Sequence, residues 1–299
     1  FQPGTAMGDC PGCASGRYAG VAALACENCP AGKFAAVAEI ESLAGKPGIK
    51  GIMVPTMWHG FPAYGTDHYD RVWAACAETG LVVHTHSGEA DFDSYGENVA
   101  MYISEVPFWT HRILWQLLFS GKFDRFPDLR YAVVECGSYW IGDLLWKTDV
   151  NFGASWKIKK MGNRMKGLIS RLPSEYFGSN VFIGASTMST EEVRRRHVNG
   201  IDALMWGTDY PHPEGSWPHT VERLEKDFQE VSIEDTRRLL GLNAIDCYGL
   251  DEAGLRVVAD RIGPTPETLG QSPDLRTPAD AVEKARWWIR EYGCEMQYA

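Results

Sequence analysis

Three places in this sequence set ionisable side chains at the end of apolar runs, where burial is costly unless each finds a partner. His84-Thr85-His86 follows Leu81-Val82-Val83. In a strand the period of two puts both imidazoles on one face, where one or both could ligate a metal ion, or both could be hydrogen-bonded core histidines. Glu135 closes Tyr131-Ala132-Val133-Val134 and precedes Cys136-Gly137. It reads as a metal-ligating carboxylate or as one capped by backbone N–H groups. Asp209 ends Met205-Trp206-Gly207-Thr208 in a turn stiffened by Pro211 and Pro213. There an acid can ligate metal and move a proton, the alternative being a turn-forming Asp. His212, in the same turn, could orient or polarise a substrate. Trp58 and His59 could line a pocket from the loop after Thr56, or His59 could simply face solvent. His111, beside Arg112, could reach a carboxylate substrate or cap a neighbouring element.

These residues must be positioned by strands, and the chain supplies a regular series of them. Short Val/Ile/Leu-rich runs predict strands at Tyr18–Ala25, Gly51–Thr56, Leu81–His86, Arg130–Cys136, Val181–Ser186 and Ala203–Asp209. Helical patterns separate them: Phe34–Ala44, Tyr69–Thr79, Thr110–Phe119, Trp140–Asp149, Glu191–Asn199 and Thr220–Gln229. Six successive βα units predict a parallel α/β sheet, and in such folds functional side chains collect at the C-terminal strand ends. Thr56, His84, His86, Glu135, Ser186 and Asp209 all fall there. Ser232 and Asp235, three apart, mark the start of a helix over Ser232–Leu240. After Asp251 the pattern weakens into a Pro/Gly-rich linker, and a last helix, Ala279–Tyr292, carries Trp287 and Trp288.

Composition narrows the classes of function. The 299 residues are 44% hydrophobic and 23% charged, as in globular proteins, and no apolar stretch approaches the ~20 residues that cross a bilayer. With 39 acidic against 29 basic side chains the net charge is -10, which repels phosphate backbones and argues against nucleic acid as a partner. Eleven Trp residues favour large buried surfaces, subunit interfaces among them. The chain opens on Phe1 with no signal-peptide pattern, and its eight cysteines, Cys76 and Cys136 inside apolar segments, read as reduced thiols. A cytoplasmic location is the expectation. Cys10-x2-Cys13 and Cys26-x2-Cys29 have the spacing of a four-cysteine zinc site. Tyr18–Ala25, as a strand, would hold the two pairs about 26 Å apart, so the plainer reading is one thiol pair at each strand end. Neither a phosphate-binding glycine loop nor a GxSxG nucleophile elbow is present.

The run Leu204-Met205-Trp206-Gly207-Thr208-Asp209-Tyr210-Pro211-His212-Pro213-Glu214-Gly215 resembles the last-strand signature of the amidohydrolase-related proteins, the family that includes aminocarboxymuconate-semialdehyde and resorcylate decarboxylases. Leu81 to Gly88, Phe126-Pro127-Asp128-Leu129-Arg130 leading into Glu135-Cys136-Gly137, Val181 to Ser186, and Leu242-Asn243-Ala244 before Tyr248 add to the likeness in order and spacing. The resemblance implies a metal-dependent TIM-type (β/α)8 barrel over residues 17–251, with a Cys-containing segment at 1–16 and a helical tail at 252–299. It assigns a metal-binding His of the fifth strand to His86 and the catalytic Asp of the eighth to Asp209. Many members carry a His where Glu135 stands. The family's first strand, with its paired-His motif, has no counterpart here, so the barrel is expected to lack its first one or two βα units.

The function so implied is metal-dependent hydrolysis of a small organic substrate, aromatic or carboxylate-bearing. The alternatives are non-oxidative decarboxylation, or a barrel kept as a structural subunit after losing activity. The metal would be divalent, zinc by preference, held by His86 and Asp209 with Glu135 or His84. The missing units would leave strand edges and an apolar face open, which predicts a homo-oligomer that covers them. Light scattering on the 299-residue chain checks this: a multiple of the chain mass is expected, and a monodisperse monomer that melts cooperatively overturns the expectation.

Overall fold

The computed structural model describes residues 30–56, 60–96, 98–154 and 167–294. Trp58, His59, Cys10, Cys13, Cys26, Cys29 and the strand expected at Tyr18–Ala25 lie outside the described residues. Five of the six expected strands are present: β1 (Gly51–Met53), β2 (Val82–His86), β3 (Tyr131–Val134), β4 (Val181–Ser186) and β5 (Leu204–Gly207). All pair in parallel, in the order β1-β2-β3-β4-β5. Each is shorter than its apolar run or equal to it, because the outermost residues bend into the loops that carry the polar groups. The helices between them include α1 (Pro30–Leu43), α2 (Asp70–Thr79), α3 (Val99–Phe119), α4 (Ile141–Ala154), α5 (Thr190–Arg194) and α6 (Thr220–Phe228). This run of βα units is the arc of a TIM-type barrel; among the described residues β1 and β5 each pair on one side only. No described helix is long and apolar enough to cross a membrane.

Strand alternation sorts the core into two faces. Val83, Tyr131, Val133, Ile183 and Leu204 point to the helices and join the large core. Val82, Ala132, Phe182 and Met205 face the other way and form a small inner cluster. On that inner face the register aligns His86, Val134, Gly184 and Met205 in one row. Gly184 is required in it, since a methyl group there would lie 2.9 Å from the Val134 side chain.

The inner face is floored by α8 (Asn243–Tyr248), which follows α7 (Ile233–Arg237) and a π turn. Cys247 packs into the inner cluster with Ala244 and Tyr248 beside it. Arg130 donates to the Cys247 carbonyl at 3.2 Å and Lys50 to that of Gly249 at 3.4 Å. Buried Asn243 donates from Nδ2 to Ile201 O at 2.7 Å and Leu204 O at 2.6 Å. Lys50, Arg130 and Leu204 stand at strand starts, so α8 crosses the N-terminal ends of the sheet.

Ser232 caps α7 as its spacing predicts, its hydroxyl accepting from the Asp235 N–H at 3.2 Å. The C-terminal part departs from the sequence reading. A further helix, α9 (Glu252–Ile262), with no buried residue, stands where the pattern weakened. The expected last helix is broken into α10 (Ala281–Ala285) and α11 (Trp287–Tyr292). Buried Trp288 donates from Nε1 to the equally buried Asp149 of α4 at 3.0 Å, anchoring this tail on the body.

Replacing Asn243 with Ala takes the side-chain donor from the Leu204 carbonyl, at about 1–3 kcal/mol, and one of two donors from the Ile201 carbonyl, which keeps the Leu204 N–H, at about 0.5–1.5 kcal/mol. Urea unfolding of Asn243→Ala should show a loss of about 2–4 kcal/mol; a loss below about 1 kcal/mol would mean that the floor is held by packing alone.

Candidate active site

At the C-terminal ends of β2 to β5 the inner face opens into a cavity of about 300 Å³. His86, Glu135, Ser186 and Asp209 line it, between walls of Val134, Met205, Trp206 and Tyr248. Three strand ends pass into their loops through non-glycine residues in the left-handed region: Glu135 (φ 53°), Thr187 (φ 45°) and Asp209 (φ 60°). Such residues are uncommon, for β-branched Thr especially so, and they concentrate where function demands an unusual backbone.

The consequence is clearest at Glu135. His86 and Val134 are in register on the inner face, so strict alternation would send Glu135 to the helix side. The left-handed turn redirects it, and its Oε2 meets His86 Nε2 at 2.5 Å. The other nitrogen of His86, Nδ1, lies 2.6 Å from the Ser87 carbonyl and donates to it. Nε2 then faces a carboxylate oxygen at a separation that two lone pairs tolerate only with a proton or a cation between or beside them.

Asp209 is held by a compact loop. His212 N–H donates to Asp209 O at 2.8 Å, Gly215 N–H to His212 O at 2.9 Å, and Ser216 N–H to Thr208 O at 2.9 Å. A methyl group on Gly215 would meet the carbonyls of Thr208, Asp209 and His212, each at 2.9 Å, so only glycine closes this loop. His212 Nδ1 lies 3.5 Å from Asp209 Oδ2, with the imidazole half exposed and the carboxylate 18% exposed. The peptide bonds Tyr210–Pro211 and Trp217–Pro218 are cis, and the Tyr210 and Trp217 rings, both exposed, meet edge to face at 5.8 Å.

Two expected site residues are placed elsewhere. His84 shares the face of His86, but its Nδ1 donates to Ile52 O at 3.0 Å and its Nε2 accepts from the Tyr248 hydroxyl at 2.9 Å. Burial holds its pKa below the ordinary histidine value. Both nitrogens are committed, so His84 ties the edge strand to the floor helix and has no lone pair left for a metal. His111 is buried on the helix side, stacked on Trp140 at 4.2 Å, with Nδ1 accepting from Trp115 Nε1 at 3.0 Å. Burial lowers its pKa to about 4, and it does not line the cavity. Thr56 turns to Glu89, whose Oε2 accepts from its N–H at 2.6 Å and its hydroxyl at 3.0 Å. The buried thiols Cys76 and Cys136 are pushed up to about 12 by burial, as unreactive core groups should be.

Sequence reasoning named Tyr248 only within a motif and did not see it as a cavity wall. Its spacing of four from Ala244, also lining, puts both on one face of α8, which was the available signal. For a metal ion, one imidazole and two carboxylates around one cavity are donors of the right type, and the His86–Glu135 contact calls for positive charge. Among the described residues, however, no three such side chains stand close enough together to enclose an ion.

Comparison with known proteins adds to this geometry. The family model described as amidohydrolase matches residues 7–250. No curated protein matches the chain. Among solved structures, 5-carboxyvanillate decarboxylase from Sphingomonas paucimobilis aligns with a TM-score of 0.58 at 21% identity, over 73% of this chain and 64% of its own. The enzyme of the same name from Novosphingobium aromaticivorans, solved with manganese and 4-hydroxy-3-methoxy-5-nitrobenzoic acid, gives 0.57 at 20% identity, over 72% and 60%. 2,6-Dihydroxybenzoate decarboxylase from Rhizobium gives 0.54 at 18%, over 73% and 68%. The chain thus spans less than two thirds of the first two, and at these identities the likeness is one of fold. With the family model covering most of its length, from ahead of the first described helix to just past α8, the chain belongs to the amidohydrolase family.

Proposed function

We propose that this chain carries the active site of a metal-dependent enzyme acting on a small carboxylated aromatic, with non-oxidative decarboxylation as the reaction. The observation that supports it is one imidazole and two carboxylates, His86, Glu135 and Asp209, at the mouth of a cavity whose walls are otherwise largely apolar. Such walls accept a flat ring, and the polar mouth suits the group that reacts. The neighbours named for decarboxylation of substituted benzoates favour the same reaction.

His86, Asp209 and Glu135 are the cavity's donors for a divalent ion, which would have to draw them closer together than they stand, with His84 excluded by its hydrogen bonds. Zinc suits these donors, and manganese is the ion in one solved neighbour. The ion, when bound, supplies positive charge to the substrate carboxylate and fixes its orientation. Asp209, in its acid form, gives a proton to the ring carbon that bears the carboxylate. The electron pair of the carbon–carbon bond then returns to the ring and carbon dioxide leaves. His212, 3.5 Å from Asp209, is placed to restore the proton from solvent. The apolar walls keep water from the reacting carbon.

Hydrolysis is the second reading, favoured by the family description. In it Asp209 acts as base toward a water molecule, and the same residues carry the site.

Carbon dioxide release from carboxyl-labelled hydroxybenzoates, followed by NMR with the chain loaded with Mn2+ or Zn2+, separates the readings. Release is expected, and Asp209→Asn should lower turnover by about 10²–10⁴-fold with an unchanged melting temperature. Turnover of esters, amides or lactones without carbon dioxide release would give preference to hydrolysis, and no turnover of any of them would favour a structural subunit. Elemental analysis gives a separate check: a first-row divalent metal is expected in the purified chain and should be lost in His86→Ala. Metal-free protein, or occupancy indifferent to that substitution, would overturn the metal assignment.

A further inference from the structure

The loops that follow β3 and β4 are joined by a carboxylate that does not line the cavity. Glu192, on α5, accepts at Oε1 from the Ser138 N–H at 2.5 Å and the Ser138 hydroxyl at 3.0 Å. Its Oε2 accepts from the Ser189 N–H at 2.8 Å and the Ser189 hydroxyl at 2.9 Å. The Ser189 half is an ordinary capping box at the start of α5. The Ser138 half is not needed for capping, and it crosses from one βα loop to the next.

What Ser138 anchors is the turn that aims Glu135. Only Cys136 and Gly137 separate the two, and Glu135 and Gly137 are both left-handed, at φ 53° and 57°. Ser138 is fully buried, and a methyl group on Gly137 would lie 3.2 Å from Glu192 Oε1. A left-handed non-glycine residue costs about 1–3 kcal/mol and persists only where its surroundings over-determine it. Downstream of Glu135 that determination comes from Glu192 and from Trp140, whose Nε1 donates to Cys136 O at 3.0 Å.

We propose that Glu192 is a positioning residue for Glu135: by fixing Ser138 to the β4 loop it holds the turn that brings Glu135 against His86. This rests on the reading of His86, Glu135 and Asp209 as donors to a divalent ion. Partners behind a metal ligand usually govern affinity by about 10–100-fold.

Mn2+ titration of the full chain, followed by electron paramagnetic resonance, tests it. Glu192→Gln places an amide N–H against one of the two loops and should weaken Mn2+ binding by about 10-fold or more. Ser138→Ala, which removes the hydroxyl bond and keeps the N–H bond, should weaken it less and in the same direction; it carries the test if Glu192→Gln does not fold. Glu175→Gln is the control for general loosening. Glu175 accepts from the Leu172 N–H at 2.7 Å ahead of β4, away from the cavity, so that variant should lower the melting temperature and leave Mn2+ affinity unchanged. Unchanged affinity in Glu192→Gln and Ser138→Ala, or equal weakening in Glu175→Gln, overturns the proposal while Glu135→Gln still weakens binding. If wild-type chain takes up no Mn2+, or Glu135→Gln is silent, the site reading itself falls and this proposal falls with it.

Discussion

In a parallel sheet neighbouring strands alternate in step, so a residue aligned with His86 shares its face and the next one along does not. Val134 is that aligned residue, and the carboxylate that touches His86 belongs to Glu135. The contact therefore depends on leaving strand geometry at one residue, through a conformation that L-amino acids avoid. Thr187 and Asp209 repeat the device at the ends of β4 and β5. A loop of backbone hydrogen bonds braces Asp209, and side chains brace the turn after Glu135. Much of the polar structure around the cavity sustains those departures rather than the sheet itself.

Below the mouth the organisation changes character. His84, in the middle of β2, uses both nitrogens to connect the backbone of β1 to Tyr248 of the floor helix. Asn243 secures the start of that helix to the carbonyls of Ile201 and Leu204. The inner cluster is small, and these polar ties do for the floor what bulk apolar packing does for the helix side of the sheet.

The sequence made the strands legible because apolar runs bounded by turn residues are a local signal. The described strands lie inside five of the expected runs, and His86, Glu135 and Asp209 all line one cavity because strand ends collect on one side of an α/β sheet. Roles that depend on a partner far along the chain were not legible. Nothing local distinguishes His84 from His86; the difference is made by Ile52 and Tyr248, 32 and 164 residues away. His111 reads as available until Trp140 is stacked on it. Helix α9 falls within the helical tail expected at 252–299 but was not marked as an element, for the opposite reason: it is a local amphipathic element that buries nothing, so no run of large apolar residues announces it.

Two carboxylates facing one small cavity, in a chain of net charge -10, impose an order on what can enter. An anion approaching Glu135 and Asp209 alone meets repulsion that the low dielectric of the apolar walls strengthens. A resident divalent cation would cancel the charge of the two carboxylates and remove that repulsion. If both bind as proposed, cation and anion would do so with positive thermodynamic linkage, and by reciprocity each would raise the affinity of the other by the same factor. On the proposed reading the cavity would act as a sequential lock for opposite charges, holding an anion firmly only where the cation is already in place.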